Sequence, residues 1–430
     1  MPLVRPFRAH VYRHEAGADL SAVTAPPYDV ITPADRERLL AGSEHNVVAL
    51  ELPDGPLDPA APDNRYATGR TTWDRWCHEH IIVPDDTPAI YVREHSWEHD
   101  GHHIRRRAFV AAVRLHSFAE GVVLPHERTL PKALSDRYEL LRATGVNLSQ
   151  VFGLFSDPAG ETDSIFDTTM SAPHAFSATD AEGVISRVWA IRDAATIGAV
   201  TQVVGEGPIF IADGHHRYTT ALAYRDERRV ADEMARRTPD EPSYDSVMMA
   251  LVNMDGPDLV VLPTHRLVRS AGAFDPAQMW EALGRYFDLT EVETPGESLL
   301  AAQDRTSFIV RTSDGVTRLA KLREDVDPAD VIETDHSADW KRLDVTVLQE
   351  LILRPVFGIC PDEPATLDRL AFEKDAHAAL ARTDVDAAFV LAPTRMDQMR
   401  AVALAGETMP QKSTYFYPKL LSGLLFRALD

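Results

Sequence analysis

The run Ile211-Ala212-Asp213-Gly214-His215-His216-Arg217-Tyr218 gathers acidic, cationic and small residues at the end of a short apolar stretch, Pro208 to Ala212. A strand that ends in Asp-Gly and opens a helix leaves backbone N–H groups unpaired at the positive end of the helix dipole, and anions bind there. His215, His216 and Arg217 add side-chain donors, and Gly214 lets a phosphate approach the backbone closely. Asp213, Gly214, His215, His216 and Arg217 are therefore a candidate phosphate cradle. The competing interpretation is a plain helix cap with one histidine buried and one exposed. Metal ligation by the histidine pair is disfavoured, because neighbours at i,i+1 do not face each other on a helix.

A second run, Leu124-Pro125-His126-Glu127, precedes Arg128, Lys132, Asp136 and Arg137. Glu127 beside cations can act as general base toward a hydroxyl or as a metal ligand, while Lys132 and Arg137 can neutralise phosphate charge. His126 and Glu127 are the catalytic candidates; the alternative is a solvated helix face with i,i+4 ion pairs. His265 and Arg266 end an expected strand and could line a sheet rim or simply hydrogen-bond in the core. Lys412, Ser413, Thr414, Tyr415, Tyr417 and Lys419 form a polar and aromatic cluster able to reach across a pocket, or an ordinary packed tail. Tyr28 and Asp29 read as turn-forming. His95, His99, His102 and His103 surround a hairpin tip and read as exposed, with no metal site assigned. No nucleophile-elbow, zinc-protease or Walker motif is present.

These residues belong to a chain of 430, with 44 Lys+Arg against 66 Asp+Glu, a net charge of −22, and two cysteines. That length suits two or three domains. Such a charge disfavours nucleic acid as a partner, since no basic stretch beyond Arg105-Arg106-Arg107 offsets it. A pocket's own lining can still be basic. No apolar stretch approaches the roughly 20 residues of a membrane-spanning helix. The N-terminus has no apolar signal segment, so a cytoplasmic location is expected. Cys77 and Cys360 are far apart and read as buried small hydrophobes.

The elements that must position the candidates follow from pattern and punctuation. Strand alternation runs through Phe7 to Tyr12, and Thr32 caps a helix over Pro33 to Leu40. Asn46 to Leu50 reads as a strand, and Tyr66 to His78 as a helix burying Trp73, Trp76 and Cys77. Ala89 to Trp97 and Arg105 to Leu115 flank the hairpin signal Asp100-Gly101. A helix is predicted over Pro131 to Ala143, ended by Gly145, then an extended course over Asn147 to Phe155. Pro208 to Ala212 is a strand, and the helix after the cradle is placed over Tyr218 to Arg237. Ser246 to Asn253 and Leu259 to Leu262 read as a second hairpin completing one sheet. The last third predicts helices at Pro276 to Phe287, Asp344 to Leu353 and Ala371 to Ala381, with strands at Phe308 to Arg311, Val316 to Leu322 and Ala388 to Leu391.

Pro26-Pro-Tyr-Asp-Val-Ile31, Pro125-His-Glu127, Ile211 to Tyr218, Pro263-Thr-His-Arg266 and Met409-Pro-Gln-Lys-Ser-Thr-Tyr-Phe-Tyr-Pro-Lys419 together resemble the bacterial and archaeal domain-of-unknown-function family 1015. The Asp-Gly-His-His-Arg run is also similar to the phosphate-binding motif of the archaeal free-serine kinase, in the ParB/sulfiredoxin-like superfamily, which carries a Pro-His-Glu run and basic helix ahead of it. By that resemblance Glu127 lies in the segment supplying the catalytic base, and Asp213, His215, His216 and Arg217 lie on nucleotide-phosphate contacts. A longer stretch between the two motifs and large flanking regions set this chain apart from the small kinase.

The expected fold is α+β, a mixed sheet with a ParB/sulfiredoxin-like core and an α+β C-terminal accessory region. Residues 1–85 form an N-terminal region, 86–270 the core, and 271–430 the C-terminal region with a tail returning to the core. The expected function is a nucleotide-dependent phosphotransferase acting on a small hydroxylated metabolite such as free serine, using ATP or ADP with Mg²⁺. A phosphate-ester hydrolase and a non-catalytic nucleotide or metabolite sensor are the alternatives. Lys132, Arg137, His265, Arg266, Lys412, Ser413, Thr414, Tyr417 and Lys419 are the substrate-binding candidates. Partners are small molecules, with a homodimer as the assembly to test.

Overall fold

Asp100 and Gly101 both take positive φ, 49° and 74°, the conformation that a two-residue hairpin turn requires. They join the two longest strands of the protein's computed structural model, which describes residues 1–127, 131–237, 240–360 and 363–429. The chain divides into two compact units. The first comprises Met1–Pro125, Thr129–Leu259 and Pro418–Asp430, and the second His126–Arg128 and Val260–Tyr417.

The first unit is built on a ten-stranded mixed sheet. In chain order its strands are β1 (Val4–Arg5), β2 (Ala18–Asp19), β3 (Ile90–His99), β4 (His102–Arg114), β5 (Val123–Leu124), β6 (Val151–Phe155), β7 (Phe176–Thr179), β8 (Ile185–Ile191), β9 (Ile209–Asp213) and β10 (Ser246–Asn253). Their spatial order is β2-β7-β8-β3-β4-β10-β6-β9-β5, with β1 paired to β4. One face carries Ile90, Val92, Phe109, Ala111, Met249 and Leu251, packed under Phe166, Val200, Val204 and Tyr218 from the helices Glu161–Met170, Ala194–Gly205 and His215–Met234. Because side chains alternate along a strand, Tyr91, Arg93, His95 and Trp97 occupy the other face. There the returning C-terminal segment supplies acceptors: Arg93 donates to the Leu421 carbonyl at 3.3 Å and Arg106 to that of Pro418 at 2.8 Å.

His95 is thus a core residue, in contrast to the exposed histidine expected at the hairpin. Burial and the charges of Arg93 and Arg106 hold its pKa well below the usual histidine value. His102 and His103 are exposed. Asn46 to Leu50 is not a strand. Asn46 Oδ1 accepts the Val48 N–H at 3.0 Å and starts the helical turn Val48–Glu51, a local closure that a short apolar run does not reveal. Thr32 does cap the helix Pro33–Gly42, in a reciprocal box with Asp35. The predicted hairpin at Asp255-Gly256 is absent, because β10 is already paired on both sides, to β4 and β6. Cys77 and Cys360 are free thiols and only half-buried.

The second unit holds a six-stranded antiparallel sheet in the order Phe287–Glu291, Thr317–Leu322, Ser307–Thr312, Ala387–Leu391, His265–Val268, Leu370–Glu373. His265 and Arg266 open a strand rather than end one, because Pro263 lies just before them and breaks the run. Val260–Leu262 pairs instead with Tyr415–Tyr417. The helix expected over Ala371 to Ala381 is a strand, Leu370–Glu373, then a helix, Ala376–Ala381. Asp375 accepts the Ala378 N–H at 2.7 Å and sets that later start. The molecule is therefore a mixed α/β protein. Among the described residues no helix is long and apolar enough to cross a membrane.

Candidate functional site

In the first unit β9 ends at Asp213, and Gly214, at φ 84°, turns the chain into the helix His215–Met234. The helix begins three residues earlier than its apolar periodicity indicates, because His215, His216 and Arg217 fill its first turn. Gly214, the N-cap residue, has no side chain to cap the helix, and the positive end of the helix dipole lies at the strand end. Asp213 Oδ1 accepts the Gly214 N–H at 2.7 Å, and Oδ2 accepts Lys419 Nζ at 2.8 Å. Burial pushes the Asp213 pKa up, but Lys419 and Arg217 outweigh it and hold the carboxyl well below its usual range.

Arg217 folds back along this turn: a Cβ on Gly214 would lie 2.8 Å from Arg217 Nε and 3.0 Å from Cζ. Only glycine combines that clearance with a left-handed φ at low cost. Arg217 donates to the Gln150 carbonyl at 2.6 Å. His215 is buried and His216 half-buried. Two cations and one carboxylate thus surround the helix start, a locally positive spot in a chain of net charge −22.

Arg137 is not on a solvated helix face. It is buried, donates to Asp136 at 2.9 Å and to the Glu51 carbonyl at 2.9 Å, and its guanidinium lies 4.2 Å from the Tyr28 ring centroid. Burial pushes the Tyr28 phenol up to about 12 against the charges of Arg217 and Arg137. The Lys132 side chain lies outside the described residues.

The second unit brings together another set of motif residues. Glu127 Oε1 accepts the Lys412 N–H at 2.7 Å, and the Lys412 and Gln411 carbonyls accept from Arg266 at 3.0 and 3.4 Å. Lys412 is left-handed, φ 57°, and exposed. His126 is buried, with Nε2 2.9 Å from Thr414 Oγ1, a place that holds the 409–416 run. Ser413 Oγ donates to the Pro410 carbonyl. Burial brings Arg266 down to about 10, with Glu127 pulling the other way. His265 is fully buried; its Nδ1 accepts the Leu391 N–H at 3.3 Å, which leaves the proton on Nε2, 3.3 Å from Glu297. Tyr417 pairs in register with Val260. Glu127 belongs to this unit and Asp213 to the other.

For a divalent cation, no group of three His, Cys, Asp or Glu side chains is poised among the described residues. Asp213, the carboxylate at the turn, already has both oxygens engaged. These residues do not fit direct Mg²⁺ ligation.

A helix start at a strand end, flanked by cations, gives this mixed α/β protein a candidate anion site. The chain belongs to the family described as "Protein of unknown function (DUF1015)", which matches residues 4–346. No curated protein matches it. Among solved structures it is similar to a free serine kinase in complex with AMP, 14% identical, TM-score 0.32, over 69% of this chain and 84% of that one. It is similar to a conserved hypothetical protein from Pyrococcus furiosus, 14% identical, TM-score 0.32, over 70% and 89%. SbnI with C-terminal truncation from Staphylococcus aureus is 12% identical, TM-score 0.35, over 73% and 85%.

Two residues of the first unit have partners that the sequence does not announce. Tyr28, expected to serve only a turn, lies against Arg137. Glu51, just beyond the expected strand Asn46 to Leu50, is buried and paired to the same arginine. A carboxylate closing the apolar run Val47 to Leu50 was the available signal.

Proposed function

We propose that the protein is a nucleotide-dependent phosphotransferase acting on a small hydroxylated metabolite, with a free amino acid such as serine among its acceptors. The observation that carries this reading is the start of the helix His215–Met234 at a strand end, entered through left-handed Gly214 and flanked by Arg217 and Lys419. Such a start suits a phosphate, and phosphoryl transfer asks chiefly for positioning and charge neutralisation. Arg217 supplies a fixed guanidinium beside the backbone donors. Asp213 positions Lys419 rather than meeting phosphate, since a second anion there would repel it. Glu127 is the proposed general base for the acceptor hydroxyl. Mg²⁺, carried on the phosphate oxygens of ATP or ADP, would neutralise part of their charge.

Calorimetric titration with ADP and ATP in Mg²⁺ tests the reading. Saturable binding by the wild type, weakened at least tenfold in Arg217→Met, is the expected result. A folded wild type that binds neither nucleotide rejects it. Binding of inorganic phosphate without nucleotide would point to a phosphate-ester hydrolase instead.

A further inference from the structure

Beside the phosphate turn, within the same unit, lies an open cavity of about 50 Å³ lined by Glu51, Arg137, Ser149, Arg217 and Thr220 among others. At roughly 10–15 Å³ per water-sized group, it admits about three to five such groups, the size of the end of a small metabolite. Glu51 is 3% exposed. Its Oε2 lies 3.3 Å from Arg137 Nη1, while Oε1 is buried with no hydrogen-bond partner among the described residues. A carboxylate oxygen stripped of water and left unpaired is costly, and such an atom on a cavity wall calls for a donor from outside. On the same lining Arg217 Nε is a buried donor with no hydrogen-bond partner among the described residues. An orphan acceptor and an orphan donor of opposite charge therefore share one small space, and Arg217 also forms the wall of the Gly214 turn.

We propose that this cavity binds the hydroxyl or ammonium group of a small ligand through Glu51 Oε1, with the ligand's anionic group on Arg217. It deepens the phosphotransferase reading, on which its role as acceptor pocket rests. The Pro26 to Ile31 motif then has a task as well: Tyr28 stacks on Arg137, and Arg137 holds Oε2 so that Oε1 stays turned to the ligand. Arg137 and Tyr28 are positioning residues.

The test is ligand binding by the full chain, without turnover. L-serine, ethanolamine and glycerate are titrated calorimetrically, with ADP as a separate titrant. Serine carries hydroxyl, ammonium and carboxylate; ethanolamine lacks the anion, and glycerate lacks the ammonium. The wild type is expected to bind serine; glycerate retaining affinity puts a hydroxyl on Glu51 and its loss puts the ammonium there, while weaker binding of ethanolamine reports the anion missing from Arg217. Glu51→Gln raises the serine Kd at least tenfold and leaves the ADP Kd within twofold. Ser149→Val, which fills the cavity from another wall without touching the Glu51–Arg137 pair, does the same should Glu51→Gln fold poorly. Equal serine binding by wild type and both variants overturns the proposal, as does a wild type that binds none of the three. Glu51-dependent serine binding without ADP binding upholds this site and removes the phosphotransferase reading alone.

Discussion

Gly214 is the residue on which the candidate anion site turns. At φ 84°, with Arg217 atoms within 3.0 Å of any added Cβ, Gly214→Ala costs about 1–2 kcal/mol of stability in backbone strain. It also displaces the guanidinium, so the ADP Kd rises at least tenfold; urea denaturation and nucleotide titration measure the two effects. Asp213 sets a pH dependence. Its folded pKa is depressed below the unfolded value of about 3.9. The stabilisation from its pairing with Lys419 is therefore complete above that value and is lost as pH falls through the folded one. Urea midpoints between about pH 2 and 6 should fall more steeply for wild type than for Asp213→Asn. Lys412 offers a test of another kind, since its left-handed backbone, φ 57°, is clamped by Glu127 and Arg266 through main-chain atoms. Lys412→Gly keeps those bonds and relieves the strain at some entropic cost, so stability stays within about 1 kcal/mol. Any loss of activity in that variant then reports on the missing ammonium.

Elements with local signals were legible in the sequence. The Asp100-Gly101 hairpin, the Thr32 cap and the Gly145 stop all lie where residue chemistry puts them. Thr32→Ala breaks the reciprocal box with Asp35 and should cost about 1 kcal/mol. Because the helix Pro33–Gly42 buries no residue, the change should appear in hydrogen exchange as fraying of that helix alone. What failed was decided by partners distant in sequence. Val260–Leu262 looks like a hairpin return, yet β10 has no free edge for it. Leu370–Glu373 looks like the start of a helix, but it pairs with His265–Val268. The strand ending at Asp213 opens a helix as its residue types indicate, but that helix starts three residues before its apolar periodicity does, because a first turn of His-His-Arg has none. Tyr28 forms the turn its neighbours indicate, but its contact with Arg137, like that of Glu51, is set by a residue far along the chain.

At the scale of the molecule, the motifs are shared between two units by short excursions of the chain. Pro125 ends a segment of the first unit, while His126 and Glu127 belong to the second; likewise Tyr417 serves the second unit and Lys419 the first. Runs continuous in sequence therefore divide into two clusters, one around Asp213, Arg217 and Lys419, the other around Glu127, Arg266 and Lys412. A phosphotransferase reading needs the first cluster to hold nucleotide phosphates and Glu127 to take the acceptor proton. Phosphorus NMR of the full protein with Mg²⁺, ATP or ADP and pooled hydroxylated amino and organic acids tests this most directly. Wild type should produce a new phosphomonoester signal that Gly214→Ala and Glu127→Gln each reduce at least tenfold. Unchanged nucleotide with a folded wild type would contradict it.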